Sequence, residues 1–328
     1  MREYLSFDSV WLKPQHSTIN SRSEVNLATR LGNLELKLPF ISANMDTITG
    51  LEMAKKMAEL GGAGILHRFT SWDNIYAWIM KEMSDHYPRI ISVGIDDPKD
   101  IDRIKSVFNR IDGICIDVAH IDTNKGLARV TELANLLSFF KSRKTLIAGN
   151  IATAEAALRL VDAGAHVVKA SIAGGSVCTT RLATGHMVPT LGATLEIASA
   201  LKDKNIQIIS DGGIRCAADA AKCLAAGASA VMLGSMLAGT DETPGRISQG
   251  DDGIFYKVYR GSASESSQLA RNPDKKPRVE GISKEVPLKG PVSLIIDTLS
   301  DGLRSAFSYS GAHNLKEFHT QAQLIRVV

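Results

Sequence analysis

The stretch TLIAGNIATAEAALRLVDAGAHVVKAS, residues 145–171, decides the fold. Its two ends, TLIAGN (145–150) and HVVKAS (166–171), are short apolar runs without the strict alternation of a strand that faces water on one side. The stretch between them, TAEAALRLVDAG (153–164), has helical spacing and ends in glycine, as helix C-caps do. The segment therefore predicts a strand, a helix and a second strand in a parallel sheet covered on both faces.

Six further runs of the same kind occur on both sides of this segment: PFISAN (39–44), AGIL (63–66), IISVGI (90–95), GICIDV (113–118), IQIIS (206–210) and SAVMLG (229–234). Helical stretches lie between them, such as GLEMAKKMAELG (50–61), PKDIDRIKSVFNR (98–110) and CAADAAKCLAAG (216–227). Eight strand-then-helix units in about 200 residues predict an α/β fold of the (β/α)8 TIM-barrel class, with residues 1–328 as one domain. A doubly wound sheet normally uses fewer strands and a GxGxxG after the first, and the sequence has neither that fingerprint nor a Walker GxxxxGK[ST].

The chain continues well beyond the eighth run. The segment Gly261–Lys289 is rich in Ser, Pro, Lys and Gly and has little periodicity, which predicts a long mobile flap over the barrel mouth. The stretch PVSLIIDTLSDGLRSAFSYSGA (291–312) restores helical spacing. It is predicted to pack on the barrel exterior as a C-terminal extension.

The 328 residues carry 38 Lys and Arg against 35 Asp and Glu, a net charge of +3, with both signs spread along the chain. This balance forms no basic stripe for a nucleic acid or an anionic membrane, so neither is expected as a partner. Four cysteines without CxxC spacing predict reduced thiols, not disulfides or a zinc site. The first ten residues lack the apolar stretch of a secretory signal, which favours a cytoplasmic protein. The longest uncharged stretch, 223–240, contains three Gly and two Ser and is predicted as strand plus loop, not as a membrane span.

Chemistry in a (β/α)8 barrel collects where the strands end, so the residues after each run are candidates for a site. The sixth run is followed by AGGSVCTTR (173–181), where Cys178 stands beside two threonines and Arg181. The glycines and serine let the backbone turn tightly and offer N–H groups to an anion. A lone cysteine is more often a small buried apolar residue, but this position favours a thiolate that attacks an electrophilic carbon. The other three cysteines lie in apolar or helical runs and are predicted to be buried.

Two more glycine-rich turns, SDGGIR (210–215) and LGSM (233–236), follow the seventh and eighth runs. In such barrels these loops often form a phosphate site from backbone N–H groups, although a Gly-Gly turn also simply connects a strand to a helix. Asp211 suits hydrogen bonds from ribose hydroxyls, or it caps a helix. The combination predicts a phosphorylated ribose as ligand.

Further polar residues follow the first, second and fourth runs. Met45 is predicted to fill the core and Asp46 to cap a helix. His67 and His120 lie at the expected rim, where a single histidine is usually structural, and catalysis is assigned to neither.

ANMDT, GSVCTTR, SDGGIR, MLGSMLAG, the Tyr259-Arg260-Gly261 turn and VPLKGPV with GLRSAFSYSGA together resemble the family of IMP dehydrogenases and GMP reductases. The resemblance runs over nearly the whole chain, and the family has the same barrel fold. Only about ten residues separate Met80 from Ile90, where dehydrogenases usually carry inserted CBS modules. The flap contains no Tyr for the Arg-Tyr pair with which dehydrogenases activate water. The sequence therefore looks more similar to the reductases.

The resemblance implies reductive deamination of GMP to IMP and ammonia in purine salvage, with NADPH as hydride donor and a covalent thioimidate between Cys178 and purine C2. Thr180 and Glu280 are implied to relay a proton to the departing ammonia, with Glu280 as general acid/base. The implied substrate-binding residues are Ser176, Asp211, Gly213, Gly234, Ser235, Tyr259, Gly261 and Ser262. The implied cofactor-binding residues are Asp117, Val118, Ala119, His120, His67 and Arg68. A homotetramer is implied as well, and so is a candidate site for a monovalent cation such as K⁺ at Gly175 and Cys178.

Differences from the family pattern leave alternatives open. AGGSVC replaces the usual GPGSVC at the cation loop, and GSAS replaces GMSS or GMGS after Tyr259, so a modified purine is an alternative substrate. An IMP dehydrogenase without CBS modules, which converts IMP to XMP with NAD, is the alternative enzyme. A non-catalytic nucleotide-binding barrel is the alternative outside enzymes.

Overall fold

The chain enters the fold through three short strands, β1 (Val10–Lys13), β2 (Thr29–Leu31) and β3 (Leu34–Leu36), in a computed structural model that describes residues 3–81, 87–274, 277 and 279–327. β2 and β3 form an antiparallel hairpin. Its turn is fastened to the start of a barrel strand, because Thr145 Oγ1 donates to the Leu31 carbonyl at 3.1 Å and accepts the Asn33 N–H at 3.0 Å. The hairpin thus lies at the amino-terminal end of the barrel, opposite the end where a site is expected.

Parallel strands close into a barrel, which confirms the predicted (β/α)8 fold. Each of the eight predicted runs overlaps one strand: β4 (Phe40–Ser42), β5 (Ala63–Leu66), β6 (Ile90–Val93), β7 (Gly113–Asp117), β8 (Thr145–Ile151), β9 (Val167–Ala170), β10 (Gln207–Asp211) and β11 (Ala230–Leu233). β11 pairs with β4 and closes the ring. β5, β6, β9 and β11 are buried at every position, as strands covered on both faces are.

Helices follow the first seven barrel strands: α1 (Leu51–Glu59), α2 (Trp72–Lys81), α3 (Asp100–Val107), α4 (Asn124–Phe139), α5 (Ala154–Asp162), α6 (Thr180–Thr184), α7 (Thr190–Leu201) and α8 (Ala217–Ala225). Single 3-10 turns occur at Phe7–Ser9, Arg22–Glu24 and Phe108–Arg110. The glycines predicted to end α1, α5 and α8 all adopt left-handed backbone angles, with φ of +93° at Gly61, +102° at Gly164 and +104° at Gly227. The predicted helices and their ends are therefore confirmed.

The chain after β11 forms a small sheet and a helical extension. Its elements are β12 (Ser248–Gln249), β13 (Phe255–Arg260), α9 (Glu265–Arg271), β14 (Ser283–Pro287), α10 (Val292–Tyr309), α11 (Leu315–Gln321) and β15 (Gln323–Arg326). The prediction of a single long loop over 261–289 is wrong in part, because α9 forms within it and β14 pairs antiparallel with β13. A polar, exposed strand has no apolar run to reveal it, and Ser283–Pro287 is such a strand.

The predicted helix over 291–312 is confirmed as α10, whose buried residues include Ile296, Leu299, Leu303 and Phe307. It packs beside α8 and occupies the place of the eighth barrel helix. β15 then pairs antiparallel with β1, so the two ends of the described chain meet. Among the described residues, no helix has both the length and the apolar character that crossing a membrane requires.

Candidate active site

The carboxyl ends of the barrel strands and the segment between β13 and β14 surround a cavity of about 610 Å³. The three predicted catalytic residues line it: Cys178, Thr180 and Glu280. Four predicted substrate-binding residues do so too: Asp211, Tyr259, Gly261 and Ser262. The predicted cofactor-binding residues in its wall are Asp117, Val118, Ala119 and Arg68. Residues from widely separated parts of the sequence therefore surround one space.

Cys178, Thr180 and Glu280 are joined by a chain of side-chain hydrogen bonds. Cys178 Sγ donates to Thr180 Oγ1 at 3.2 Å, and Thr180 Oγ1 donates to Glu280 Oε2 at 2.8 Å. Thr180 is the first residue of α6, which leaves its hydroxyl at the helix end nearest the thiol. The donors all point from sulfur to carboxylate, so a thiol proton has a continuous path to Glu280.

Main-chain hydrogen bonds fix Glu280 beside the cysteine loop. The Thr179 N–H donates to the Glu280 carbonyl at 2.9 Å, and the Ile282 N–H donates to the Val177 carbonyl at 3.0 Å. A side chain at Gly281 would place its Cβ 3.1 Å from a neighbouring backbone nitrogen, so glycine permits this close approach. The position of the Glu280 carboxylate thus depends on strand-like pairing between two segments 100 residues apart.

The four cysteines occupy distinct environments. Burial raises the pKa of the Cys115 and Cys223 thiols to about 12, so both remain neutral at physiological pH. The prediction that Cys216 is buried is wrong: it is exposed and precedes α8 as its N-cap residue. Only Cys178 combines partial exposure with a place in the cavity wall. The sequence prediction that singled out this thiol therefore agrees with its position.

Asp211 ends β10 and faces the cavity. It does not cap α8, which begins at Ala217, so the helix-cap alternative is wrong. Its Oδ2 accepts the Asn150 amide at 2.9 Å and the Lys169 ammonium at 3.2 Å. Lys169 was missed by the sequence analysis, although a lysine inside a run predicted to be buried on both faces is a signal in itself.

Three glycine-containing loops meet beside the cavity. Gly212 and Gly213 have φ of +105° and +77°, and a Cβ on Gly212 would lie 3.1 Å from the Gly174 and Gly175 backbone. The predicted phosphate-binding residues Ser176, Gly213, Gly234 and Ser235 lie next to the cavity and are not part of its wall. Glycine-rich turns of this kind can offer backbone N–H groups to an anion, and the turns at Gly174–Gly175 and Gly212–Gly213 pack closely together.

Tyr259 and Lys289 complete this region. Tyr259 is 2% exposed, and its hydroxyl lies 3.3 Å from the Cβ position of Gly234. Burial raises the pKa of Tyr259, against a hydrogen bond with Ser176 that lowers it. Lys289 Nζ donates to the Ser235 carbonyl at 3.0 Å, which brings a positive charge to the turn after β11. Lys289 could not be found by sequence reasoning, because its partner is 54 residues away in the chain.

The part of the cavity wall formed by the loop after β5 and by α9 is basic and aromatic. Arg271, on α9, stacks over the Phe69 ring with its guanidinium carbon 3.8 Å from the ring centroid, and the Arg68 guanidinium lies 4.6 Å from the same centroid. Phe69 and Arg271 line the cavity and were missed by the sequence analysis. His67 and His120 are not in the cavity wall: His67 is half-buried, and His120 is exposed. Burial lowers the pKa of His67, so its ring is neutral near pH 7.

Asp46 is not the helix cap that was predicted. Its Oδ2 accepts the Arg260 guanidinium at 2.7 Å and the Ser267 hydroxyl at 3.2 Å. Ser267 lies on α9, so Asp46 ties the predicted flap to the loop after β4. Met45, predicted as core, packs against the core and also lines the cavity.

Comparison with known proteins gives a family for this arrangement. The family model of the IMP dehydrogenase / GMP reductase domain matches residues 4–328. A GMP reductase of Buchnera aphidicola subsp. Schizaphis graminum is 37% identical over 339 aligned residues, covering 98% of this chain and 94% of that protein. GMP reductase 2 of Homo sapiens is 35% identical, again covering 98% and 94%. An inosine-5′-monophosphate dehydrogenase of Nitrosopumilus maritimus is 30% identical over 462 residues, covering 99% of this chain and 96% of that protein.

Proposed function

The chain belongs to the family of IMP dehydrogenases and GMP reductases, and from this premise we propose that it is a GMP reductase, an NADPH-dependent oxidoreductase that converts GMP to IMP and ammonia. The observation that carries the proposal is the hydrogen-bond chain from Cys178 through Thr180 to Glu280. It provides a nucleophile and a proton carrier on one wall of a cavity that also offers a ribose acceptor and an anion site. Several reductases among the relatives, at 35–37% identity, support the same assignment over the dehydrogenase.

The first step is attack of the Cys178 sulfur on C2 of the purine. As the carbon–sulfur bond forms, the thiol proton passes to Thr180, and the Thr180 proton passes to Glu280. The 2.8 Å distance between Thr180 and Glu280 is within the range for such a transfer. The carboxylate thereby stores the proton that the next step requires.

The second step is departure of the 2-amino group. An amine leaves as ammonia only when it is protonated, and the protonated Glu280 supplies that proton through Thr180. Loss of ammonia leaves the purine joined to Cys178 as a thioimidate. NADPH, when bound, would supply a hydride to C2; the carbon–sulfur bond then breaks, and the sulfur leaves as the Cys178 thiolate, which takes a proton from solvent to restore the thiol.

The substrate would bind along the rim formed by the loops after β9, β10 and β11. Asp211 accepts the ribose hydroxyls, and the turns that carry Ser176, Gly213, Gly234 and Ser235 hold the 5′-phosphate together with Tyr259. The purine then lies against Cys178, with Gly261 and Ser262 at its edge. The Ser262-Ala263-Ser264 turn differs from the family pattern, so a modified purine is an alternative substrate. Measuring activity with substituted purine nucleotides tests this alternative.

The cavity suits a dinucleotide beyond the purine. Asp117, Val118 and Ala119 lie in the cavity wall, and we propose that they contact the nicotinamide, with His120 and His67 as further cofactor-binding residues. Arg68 also lines the cavity, and its guanidinium suits a cofactor phosphate. Among the described residues, no carboxylate forms an ion pair with Arg68. Its charge is therefore available for a contact with the cofactor phosphate.

Further properties of this enzyme are part of the proposal. We take residues 1–328 as one catalytic barrel domain without CBS modules, since α2 ends at Lys81 and β6 begins at Ile90, and 261–289 as its active-site flap. We propose a homotetramer, and the exposed apolar side chains on and beside β13, Ile254, Phe255 and Val258, support contact between copies of the chain. The protein would act in the cytoplasm, and K⁺ would bind carbonyl oxygens near Gly175 and Cys178.

The proposal is tested by incubating the protein with GMP and NADPH and following NADPH absorbance, ammonia and IMP together. Equal amounts of the three changes are expected. Cys178→Ala should lose turnover while GMP still binds in a calorimetric titration. Product formation only from IMP with NAD, giving XMP, would replace the proposal with a dehydrogenase, and nucleotide binding without turnover of either substrate would favour a non-catalytic barrel.

A further inference from the structure

Lys169 lines the cavity and has no role in the proposed mechanism, and it is the most deeply buried charge among the groups just described. Its side chain is 1% exposed and lies inside the barrel on β9. Its Nζ donates to Asp117 Oδ1 at 2.7 Å, to Asp211 Oδ2 at 3.2 Å and to Asn44 Oδ1 at 3.4 Å. An ammonium has three protons, so all of its donors are committed.

The positive charge of Lys169 and the negative charges of Asp117 and Asp211 stabilise one another. Burial alone would lower the pKa of Lys169, but the carboxylates of Asp117 and Asp211 outweigh it and the pKa is raised. The two carboxylates are only 21% and 19% exposed, so the ammonium is the nearby charge that offsets them. Lys169 is therefore a bound cation held between two acceptors, one from β7 and one from β10.

The barrel backbone is built to admit the lysine. Gly149 stands opposite Lys169 in the pairing of β8 with β9. A Cβ on Gly149 would lie 2.5 Å from the Lys169 Cβ, so a side chain there would displace the lysine stem. The position of the ammonium thus follows from strand register as well as from its charge partners.

Each of the two carboxylates uses only one of its oxygens for side-chain hydrogen bonds with the described residues. Among the described residues, the side-chain partners of Asp211 all bond to Oδ2, from Lys169 and Asn150. Those of Asp117 bond to Oδ1. Both residues line the cavity, so each carboxylate has one oxygen committed to the lysine and a second available to a ligand.

We propose that Lys169 is a positioning residue that orients the Asp211 carboxylate, so that its second oxygen accepts the ribose hydroxyls of the purine nucleotide. This rests on the proposed function in one respect, that the ligand is a purine ribonucleotide. Without Lys169, the Asp211 carboxylate keeps the Asn150 amide on Oδ2 but loses the cation that it shares with the Asp117 carboxylate. The lysine acts on affinity for the ribose and takes no part in bond making or breaking.

The test compares two ligands on three proteins by calorimetric titration. GMP carries both ribose hydroxyls, and 2′,3′-dideoxy-GMP carries neither. The ratio of their dissociation constants reports the hydroxyl contacts alone, and charge-assisted hydrogen bonds predict a ratio of roughly 10 to 100 for the unmodified chain. Lys169→Met should bring the ratio close to one, whereas Lys169→Arg, which keeps the cation, should restore most of it.

A merely structural role for Lys169 predicts a different outcome. Lys169→Met would then weaken both ligands equally and leave the ratio unchanged, which would overturn the proposal; a ratio near one in the unmodified chain would overturn it as well. If Lys169→Met does not fold by circular dichroism, Lys169→Gln is measured in its place, and an unchanged ratio there refutes the proposal. Binding is measured without turnover, so a chain that binds GMP but does not reduce it would refute the proposed function and still test Lys169.

Discussion

Replacing Glu280 by glutamine removes the proton carrier while leaving its surroundings in place. The backbone of Glu280 is held by its own N–H donating to the Ala263 carbonyl at 3.1 Å and by its carbonyl accepting the Thr179 N–H at 2.9 Å. Neither bond involves the side chain. Glutamine has nearly the same shape, and its amide oxygen still accepts the Thr180 hydroxyl in place of Oε2, now as a neutral hydrogen bond.

The expected loss of activity is that of a general acid, because the glutamine amide cannot transfer a proton to the leaving amine. A positioned general acid contributes about 10²- to 10⁴-fold to a rate, equivalent to about 3 to 5 kcal/mol of activation free energy. Glu280→Gln should therefore lower kcat for GMP by that factor. The KM for GMP should change by less than about 5-fold, because Glu280 lies outside the proposed phosphate and ribose contacts and loses about 1 kcal/mol of hydrogen bonding at most.

The assay follows NADPH consumption and ammonia release at saturating GMP. The matched control is Glu285→Gln on β14, the same chemical change at an exposed position of the adjoining segment. The control should keep full activity. A Glu280→Gln protein that retains more than about a tenth of the original kcat would refute the reasoning, because no general acid of the expected strength would then have been lost.

Two further predictions concern the thiols and the flap. Iodoacetamide at pH 8, followed by peptide mass spectrometry, should label Cys178 and Cys216. Cys115 and Cys223 should stay unlabelled, because burial raises their pKa and keeps both thiols neutral below about pH 12. GMP should protect Cys178 and not Cys216, and equal labelling of all four cysteines would contradict these environments. Asp46→Asn should weaken the contacts that tie α9 to the loop after β4, with a loss of about 1 to 3 kcal/mol. Amide hydrogen exchange should become faster in α9 while α10 stays protected. Unchanged exchange in α9 would show that Asp46 does not hold the flap.

Much of the architecture was predictable from the sequence, because burial on both faces leaves a direct trace in composition. The eight apolar runs became the eight barrel strands, and three glycines predicted to end helices adopt positive φ. The failures occur where that trace is missing. β14 is polar and exposed, so nothing in its residues distinguishes it from a loop. Asp46 was interpreted as a local cap because sequence reasoning sees neighbours in the chain, whereas its partner Arg260 is 214 residues away.

The amino-acid sequence by itself determined the barrel, the end at which side chains gather and the thiol at position 178, since strand periodicity and glycine-rich turns act over a few residues. The tertiary structure alone decided which groups meet there. Glu280 reaches Thr180 through pairing across 100 residues, and Lys169 finds its two carboxylates only because barrel closure and strand register bring β7, β9 and β10 to a common interior. The physical reason is that a charge can be buried only beside its partners, and those partners are fixed by the closed sheet and not by their distance along the chain.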